Sequence, residues 1–111
     1  MTKPKFRSYS RYARDTVQLL GLMIRNTRIE RNITIREVAE RAGISRGLVQ
    51  RIESGNMGTS IGVAFEVAAI VGLELFESES SNLKRHLSLE RDKLVLLKSV
   101  RKKTRKINDN F

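Results

Sequence analysis

The sequence contains no cysteine and no tryptophan, and it has only one histidine and one proline. Without cysteine the chain has no disulfide, thiolate ligand or thiol nucleophile, and a single His86 does not form a histidine cluster. The longest stretch without a charged residue, 54–65, is too short and too polar to cross a membrane. The basic segment after Met1 also lacks the apolar part of a signal peptide. We therefore expect a cytoplasmic protein with no metal centre, no cofactor and no membrane partner.

Acidic residues are scarce at both ends of the chain. Residues 1–14 carry five basic and no acidic side chains, and residues 83–111 carry ten basic and three acidic ones. Residues 15–82 hold seven basic and nine acidic side chains, so the net charge of +10 comes entirely from the flanks. Lys and Arg release counterions from phosphates, which favours nucleic-acid binding, although basic tails also suit acidic membranes or acidic proteins.

This pattern divides the 111 residues into three segments. Residues 1–14 lack an apolar period and are expected to form a basic flexible arm. Residues 15–77 are expected to form one compact domain, and residues 78–111 a linker and a basic C-terminal extension. A core of this size is close to the lower limit for independent folding, so dimerisation would help it.

Hydrophobic spacing and capping residues predict four helices in the middle segment, over residues 16–31, 35–42, 46–53 and 61–71. The predicted N-caps are Asp15, Thr34, Ser45 and Ser60, and the glycines that follow the second and fourth helices are Gly43 and Gly72. Residues 73–77 fit either a last helical turn or a short strand. The Ser/Glu segment 77–82 is expected to be a linker, and 83–100 fits one or two amphipathic pieces.

Residues 35–52 have the spacing of a helix-turn-helix motif. Ala39 is small where the two helices cross, Gly43 supplies the turn, and Val49 packs inward. Other helical hairpins share parts of this spacing. The motif indicates a second helix that is held against the first and presented to DNA.

The wider pattern resembles the XRE family of Cro and lambda-repressor-like DNA-binding domains. The residues that carry the resemblance are Leu20-Gly21, Ile24-Arg25, Arg28, Thr34 to Ala39, Gly43-Ile44-Ser45, Val49, Arg51 to Gly55, Ala68 and Gly72. The family implies an all-α, five-helix lambda-repressor-like DNA-binding domain, here with a basic N-terminal arm and a C-terminal extension. It also implies a homodimer whose recognition helices enter successive major grooves of a double-stranded DNA operator, about 34 Å apart.

The resemblance places the base-contacting residues at the start and on the outer face of the third helix. Arg46 and Arg51 are the expected base readers, because a guanidinium can donate two hydrogen bonds to guanine. Gln50 either reads adenine or is solvated. Gly47 would let the backbone approach DNA closely without a reading side chain.

Three further residues are expected to position the domain on the DNA backbone. Thr34 and Ser45, at the starts of the second and third helices, point at phosphates, and Arg36 adds positive charge at the same edge. A structural role also explains Thr34 without DNA, because Thr34 forms a capping box with Glu37. Arg25 and Arg28 are expected to pair with core acids such as Glu53, as the family pattern implies.

The C-terminal extension needs a separate explanation. Leu94 to Leu97 is a four-residue apolar run inside a basic segment, and the last residues run from a basic stretch to Phe111. This end resembles HipB-type antitoxins, which are made beside HipA-like kinase toxins. The resemblance makes Leu94, Leu97 and Phe111 candidate partner-binding residues. Alternatively, the apolar run packs on the chain's own dimer and the tail contacts DNA.

The sequence therefore predicts a sequence-specific DNA-binding transcriptional repressor that is not an enzyme. Its expected role is the antitoxin of a HipA-like kinase toxin-antitoxin operon, autoregulating its own promoter. A stand-alone XRE-family regulator fits the central segment equally well. A basic RNA-binding accessory protein is the alternative from another functional class.

Overall fold

The structure is a computed structural model that describes residues 8–76 and 80–109. Its helices are α1 (Arg11–Glu30), α2 (Ile35–Ala42), α3 (Arg46–Glu53), α4 (Ile61–Val71) and α5 (Ser80–Asp109), and no strand occurs in the two described ranges. The predicted all-α, five-helix fold is confirmed. The chain divides into two units, Met1–Leu75 with α1 to α4 and Phe76–Phe111 with α5.

Helices α2 and α3 have the predicted bounds, because the residues at their ends act as expected. The Thr34 side chain accepts a hydrogen bond from the Glu37 N–H at 3.1 Å, and the Ser45 side chain accepts one from the Leu48 N–H at 3.1 Å. Gly43 takes a left-handed conformation, with φ of 68°, and turns the chain between the helices. The helix-turn-helix geometry therefore follows from local signals.

Helix α4 also has its predicted bounds, but the prediction that the Ser60 side chain caps its start is wrong. Ser60 occupies the N-cap position without a side-chain hydrogen bond to the helix. Gly72 ends the helix in a left-handed conformation. Residues 73–76 then form neither the helical turn nor the strand that the sequence allowed, but an irregular connection.

Helix α1 begins five residues earlier than predicted. Ser10, and not Asp15, is the N-cap, and its side chain accepts a hydrogen bond from the Ala13 N–H at 3.1 Å. Asp15 lies inside the helix with its side chain exposed. Residues 11–14 are consequently helical and do not belong to a flexible arm; the first turn was missed because it carries no apolar period.

Helix α5 runs without interruption where one or two shorter pieces were expected. It begins at Ser80, so residues 80–82 are helical and are not part of a linker. Arg, Lys and Glu are good helix formers, so the charged residues that break the apolar period do not break the helix. Within the described ranges, no helix combines the length and the apolar character needed to cross a membrane.

The core of the first unit lies between α1, α2, α3 and α4. Its fully buried large side chains are Ile24, Val38, Val49, Val67 and Val71. Helix α1 crosses α3 at Gly21, where a Cβ atom would lie 2.5 Å from the Ile52 carbonyl oxygen and 2.6 Å from that of Glu53. Because both neighbours are backbone atoms, only glycine permits this approach.

One buried ion pair joins three parts of this unit. The Arg28 Nε donates to Glu53 Oε2 at 2.7 Å, and an Arg28 terminal nitrogen donates to Glu53 Oε1 at 3.1 Å. Another guanidinium nitrogen donates to the Ile33 carbonyl at 3.0 Å. The side chains of Arg28 and Glu53 are only 11% and 5% exposed. The expected pairing of Arg28 with Glu53 is thus confirmed, and it links α1, the α1–α2 connection and the end of α3.

Replacing Glu53 by alanine should lower the free energy of unfolding by roughly 3–5 kcal/mol, because it leaves the Arg28 charge buried without a partner. The control is Glu40→Ala, which removes the exposed Arg36–Glu40 pair and should change stability by less than about 1 kcal/mol. Urea unfolding followed by circular dichroism measures both. Equal midpoints for the two variants would contradict the assigned role of the buried pair.

Candidate nucleic-acid interface

Helix α3 has one buried and one exposed face. Val49, Ile52 and Glu53 are buried against the rest of the unit. Arg46, Gln50 and Arg51 are exposed. At the end of α3, Ile52 is packed in the core and Glu53 is bonded to Arg28. The rotation of α3 about its own axis is therefore fixed. As a result the three long polar side chains predicted to meet DNA are presented to solvent together.

The predicted DNA-binding residues border three open clefts that share members. One is lined by Thr34, Arg36, Arg46 and Gln50 among others, a second by Arg36, Ser45 and Arg46, and a third by Gly47, Gln50 and Arg51. Arg36 and Arg46 line both the first and the second cleft, and Gln50 lines both the first and the third. The surface is therefore continuous. We call these seven residues, Thr34, Arg36, Ser45, Arg46, Gly47, Gln50 and Arg51, the recognition surface.

Thr34 and Ser45 have structural duties at this surface. Each hydroxyl oxygen accepts a backbone N–H of the first turn of its helix. That bond uses an oxygen lone pair and leaves the hydroxyl proton free to rotate toward an acceptor. Both residues can therefore cap their helices and donate a hydrogen bond to a phosphate oxygen at the same time.

The positive charge of Arg36 is less available to DNA than the sequence predicts, because a carboxylate lies beside it. The Arg36 Nε lies 3.2 Å from Glu40 Oε1, in an exposed pair one helical turn apart. Exposed pairs of this kind contribute little to stability and exchange readily with solvent or another anion. A phosphate could replace the carboxylate, but the neighbouring negative charge lowers the attraction of Arg36 for DNA compared with that of Arg46.

The prediction that Arg25 pairs with a core acid such as Glu53 is wrong. Arg25 is exposed, and within the described residues the Glu53 carboxylate is bonded to Arg28 and not to Arg25. Arg25 instead lines the same cleft as Gln50 and Arg51. A spacing of three residues places Arg25 and Arg28 on adjacent parts of the α1 surface, so only the packing of α1 on α3 could decide which arginine faces inward.

Gly47 is the least expected member of the recognition surface, since it lies in the first turn of a helix. A Cβ atom there would meet nothing nearer than an Arg51 guanidinium nitrogen at 3.7 Å and the Ser45 hydroxyl at 3.9 Å. These are ordinary contacts, so the fold of the chain does not require glycine at this position. The packing of the fold therefore explains glycine at position 21 but not at position 47.

Residues 24–77 match the model of the helix-turn-helix family. The matched stretch contains the whole recognition surface and ends before α5 begins at Ser80. This part of the chain is thus similar to a family of helix-turn-helix domains, which supports DNA binding and transcription regulation. No curated protein and no solved structure gives a significant match to the chain.

The two helical glycines should respond oppositely to alanine. Gly47→Ala should raise the free energy of unfolding by about 0.5 kcal/mol, because alanine loses less backbone entropy in a helix and the space is open. Gly21→Ala should lower it, because the methyl group would overlap the α3 backbone. Thermal unfolding of both variants beside the parent makes the comparison. If Gly47→Ala is destabilising, the fold itself requires that glycine.

Proposed function

We propose that this protein is a sequence-specific DNA-binding transcriptional repressor that acts as a homodimer, with α3 as its recognition helix. The observation that carries the proposal is the continuous, exposed recognition surface on α2 and α3 within the helix-turn-helix match. The eight residues of α3 span about 12 Å. An α-helix with its side chains is about 10–12 Å in diameter, so it fits the major groove of B-form DNA, which is about 12 Å wide.

Arg46 and Arg51 are the proposed base readers. Neither is held by an ion pair with a carboxylate in the part of the chain that the structure describes. Their guanidinium groups are therefore available to donate paired hydrogen bonds to the O6 and N7 atoms of guanine. Gln50, between them on the exposed face, is proposed to contact an adjacent base.

The remaining contacts are proposed to hold the domain on the DNA backbone. Thr34, Ser45 and Arg36 lie where α2 and α3 begin, and backbone N–H groups at helix starts favour phosphate. Arg25 adds a cation at the other end of α3, beside Arg51. Gly47 is proposed to let the α3 backbone approach the groove floor or a sugar, which explains a glycine that the fold does not need.

Binding sites selected by the full chain from a pool of random DNA duplexes provide the test. We expect a consensus with two-fold symmetry and half-sites one helical turn apart. On that consensus, Arg46→Ala and Arg51→Ala should each lose roughly 1–3 kcal/mol of discrimination between the correct base and the others. Arg25→Ala should instead weaken binding to all duplexes alike and reduce the salt dependence of affinity.

Arg41→Ala is the matched control, because Arg41 is an exposed arginine on α2 that borders none of the three clefts. It should leave discrimination unchanged. Selection that yields no consensus, together with equal affinity for structured RNA, would favour the basic RNA-binding alternative. Unchanged discrimination in both the Arg46 and Arg51 variants would show that another surface meets the DNA.

A second, narrower candidate is the antitoxin role beside a HipA-like kinase. It is favoured by α5, which lies beyond the family match and exposes Leu94 and Leu97. Phe111, the third proposed partner residue, lies outside the described residues. Co-expression with a kinase-like protein encoded beside the gene should yield a stable complex that strengthens operator binding. Without such a complex, the stand-alone regulator is the function.

A further inference from the structure

Helix α5 exposes more apolar surface than a solvated helix needs. Between half and two thirds of the surface of Leu94, Val95, Leu96 and Leu97 reaches solvent. Leu83 and Leu87 are 42% and 48% exposed on the same helix. Contiguous exposed leucines on a soluble chain indicate an interaction surface.

Four of these leucines fall on one stripe. Leu87 and Leu94 are seven residues apart, and Leu83 and Leu97 fall four residues before the first and three after the second. This is the a and d spacing of a coiled coil. The stripe also contains Glu90 at a d position and Arg101 at an a position. We call the six residues Leu83, Leu87, Glu90, Leu94, Leu97 and Arg101 the α5 stripe.

We infer that α5 pairs through this stripe with α5 of a second copy of the chain, in antiparallel orientation. The two-fold axis lies level with the bond between Val95 and Leu96. Leu94 then packs against the partner's Leu97 in two symmetric layers at the centre. One layer further out on each side, Glu90 lies opposite the partner's Arg101.

Charge complementarity selects this arrangement. A parallel pair in register would place Glu90 against the partner's Glu90 and Arg101 against the partner's Arg101, so that like charges would face each other in the seam. The antiparallel pair converts both repulsions into attractions between opposite charges. Polar residues at a and d positions commonly determine orientation and register in this way.

The edges of the seam bring cations together in either orientation. Arg91 and Lys98 occupy e positions, and Lys93 and Val100 occupy g positions. A parallel pair brings e against g and therefore places Lys93 beside the partner's Lys98 on both edges. An antiparallel pair brings g against g and e against e, so that Lys93 meets the partner's Val100 but Arg91 meets the partner's Lys98 twice. Either orientation therefore has two such pairs of facing cations, and the choice of orientation rests on Glu90 and Arg101.

The length of the helix allows the central part of the stripe to pair completely. Its 30 residues span about 45 Å. With the axis level with residues 95 and 96, residues 82–109 of the two copies overlap, so the layers from Glu90 to Arg101 all lie inside the overlap. The interface is isologous, so two chains close it and no open polymer results. This inference gives the proposed repressor its dimer contact, but the pairing itself does not depend on DNA.

A charge-swap cycle on the full chain tests the pairing in the absence of DNA. Glu90→Arg and Arg101→Glu should each weaken dimerisation about tenfold, which corresponds to 1.4 kcal/mol. The double variant should restore the parent's dissociation constant, because the opposite charges again meet across the seam. The matched controls, Asp92→Arg and Lys102→Glu, make the same changes of charge outside the α5 stripe. They should leave the dissociation constant of the dimer unchanged. Sedimentation equilibrium measures all five variants beside the parent.

A second measurement reads the orientation, using the absence of native cysteine. In an antiparallel pair, Leu94→Cys protein should form disulfides rapidly when mixed with Leu97→Cys protein. Each variant alone should react slowly, because its own cysteines are staggered by three residues, or about 4.5 Å along the axis. A parallel pair would reverse this pattern.

Three results would overturn the inference. The first is a parent chain that stays monomeric at micromolar concentration, and the second is a double variant that remains as weak as the single ones. The third is faster crosslinking within one cysteine variant than in the mixture. If the chain is monomeric and substitution of Leu94 and Leu97 abolishes binding of a kinase-like partner, the stripe belongs to that partner. A monomeric parent would also remove the proposed homodimer, but none of these results bears on base discrimination by α3, so the proposed DNA recognition stands or fails separately.

Discussion

The bond between Arg28 and Glu53 is the interaction on which the geometry of the recognition surface depends. It is bidentate and buried, and the same guanidinium also holds the Ile33 carbonyl just before α2 begins. Taking two charges out of water is expensive, and an apolar pair of similar volume would often be no less stable. The ion pair therefore matters because of its geometry. The planar guanidinium group of Arg28 fixes where α3 ends and where α2 starts relative to α1.

Gly21 completes the same constraint from the other side. It removes the side chain that would keep α1 away from the Ile52 and Glu53 carbonyls, so the two helices meet along their backbones. Backbone contact leaves little freedom for α3 to rotate or slide. Arg46, Gln50 and Arg51 are consequently displayed by a rigid support. Under the proposed function, binding would then not have to order the helix before its side chains meet a base.

The sequence predicts the parts of this structure that are determined by local chemistry. The bounds of α2 and α3 follow from their caps and from Gly43, the end of α4 follows from Gly72, and the exposed face of α3 follows from its apolar spacing. The start of α1 was not predicted, because an Arg-rich first turn gives no periodic signal. The length of α5 was missed for a related reason, since charges interrupt its apolar pattern without interrupting its backbone. The surroundings of Arg25 depend on which of two nearby arginines enters the core, and that is decided only by tertiary packing.

The two units solve different parts of one problem under the proposed function. A single α3 reads only a few base pairs, and the discrimination available from two or three side chains is modest. Two copies held on one duplex combine their contacts, because after the first has bound the second binds at a high effective concentration. The thermodynamic coupling is reciprocal: whatever affinity α5 pairing adds to a two-site duplex, the duplex adds to α5 pairing. A seam that pairs at micromolar concentration in free solution is therefore strengthened further when both copies bind one duplex.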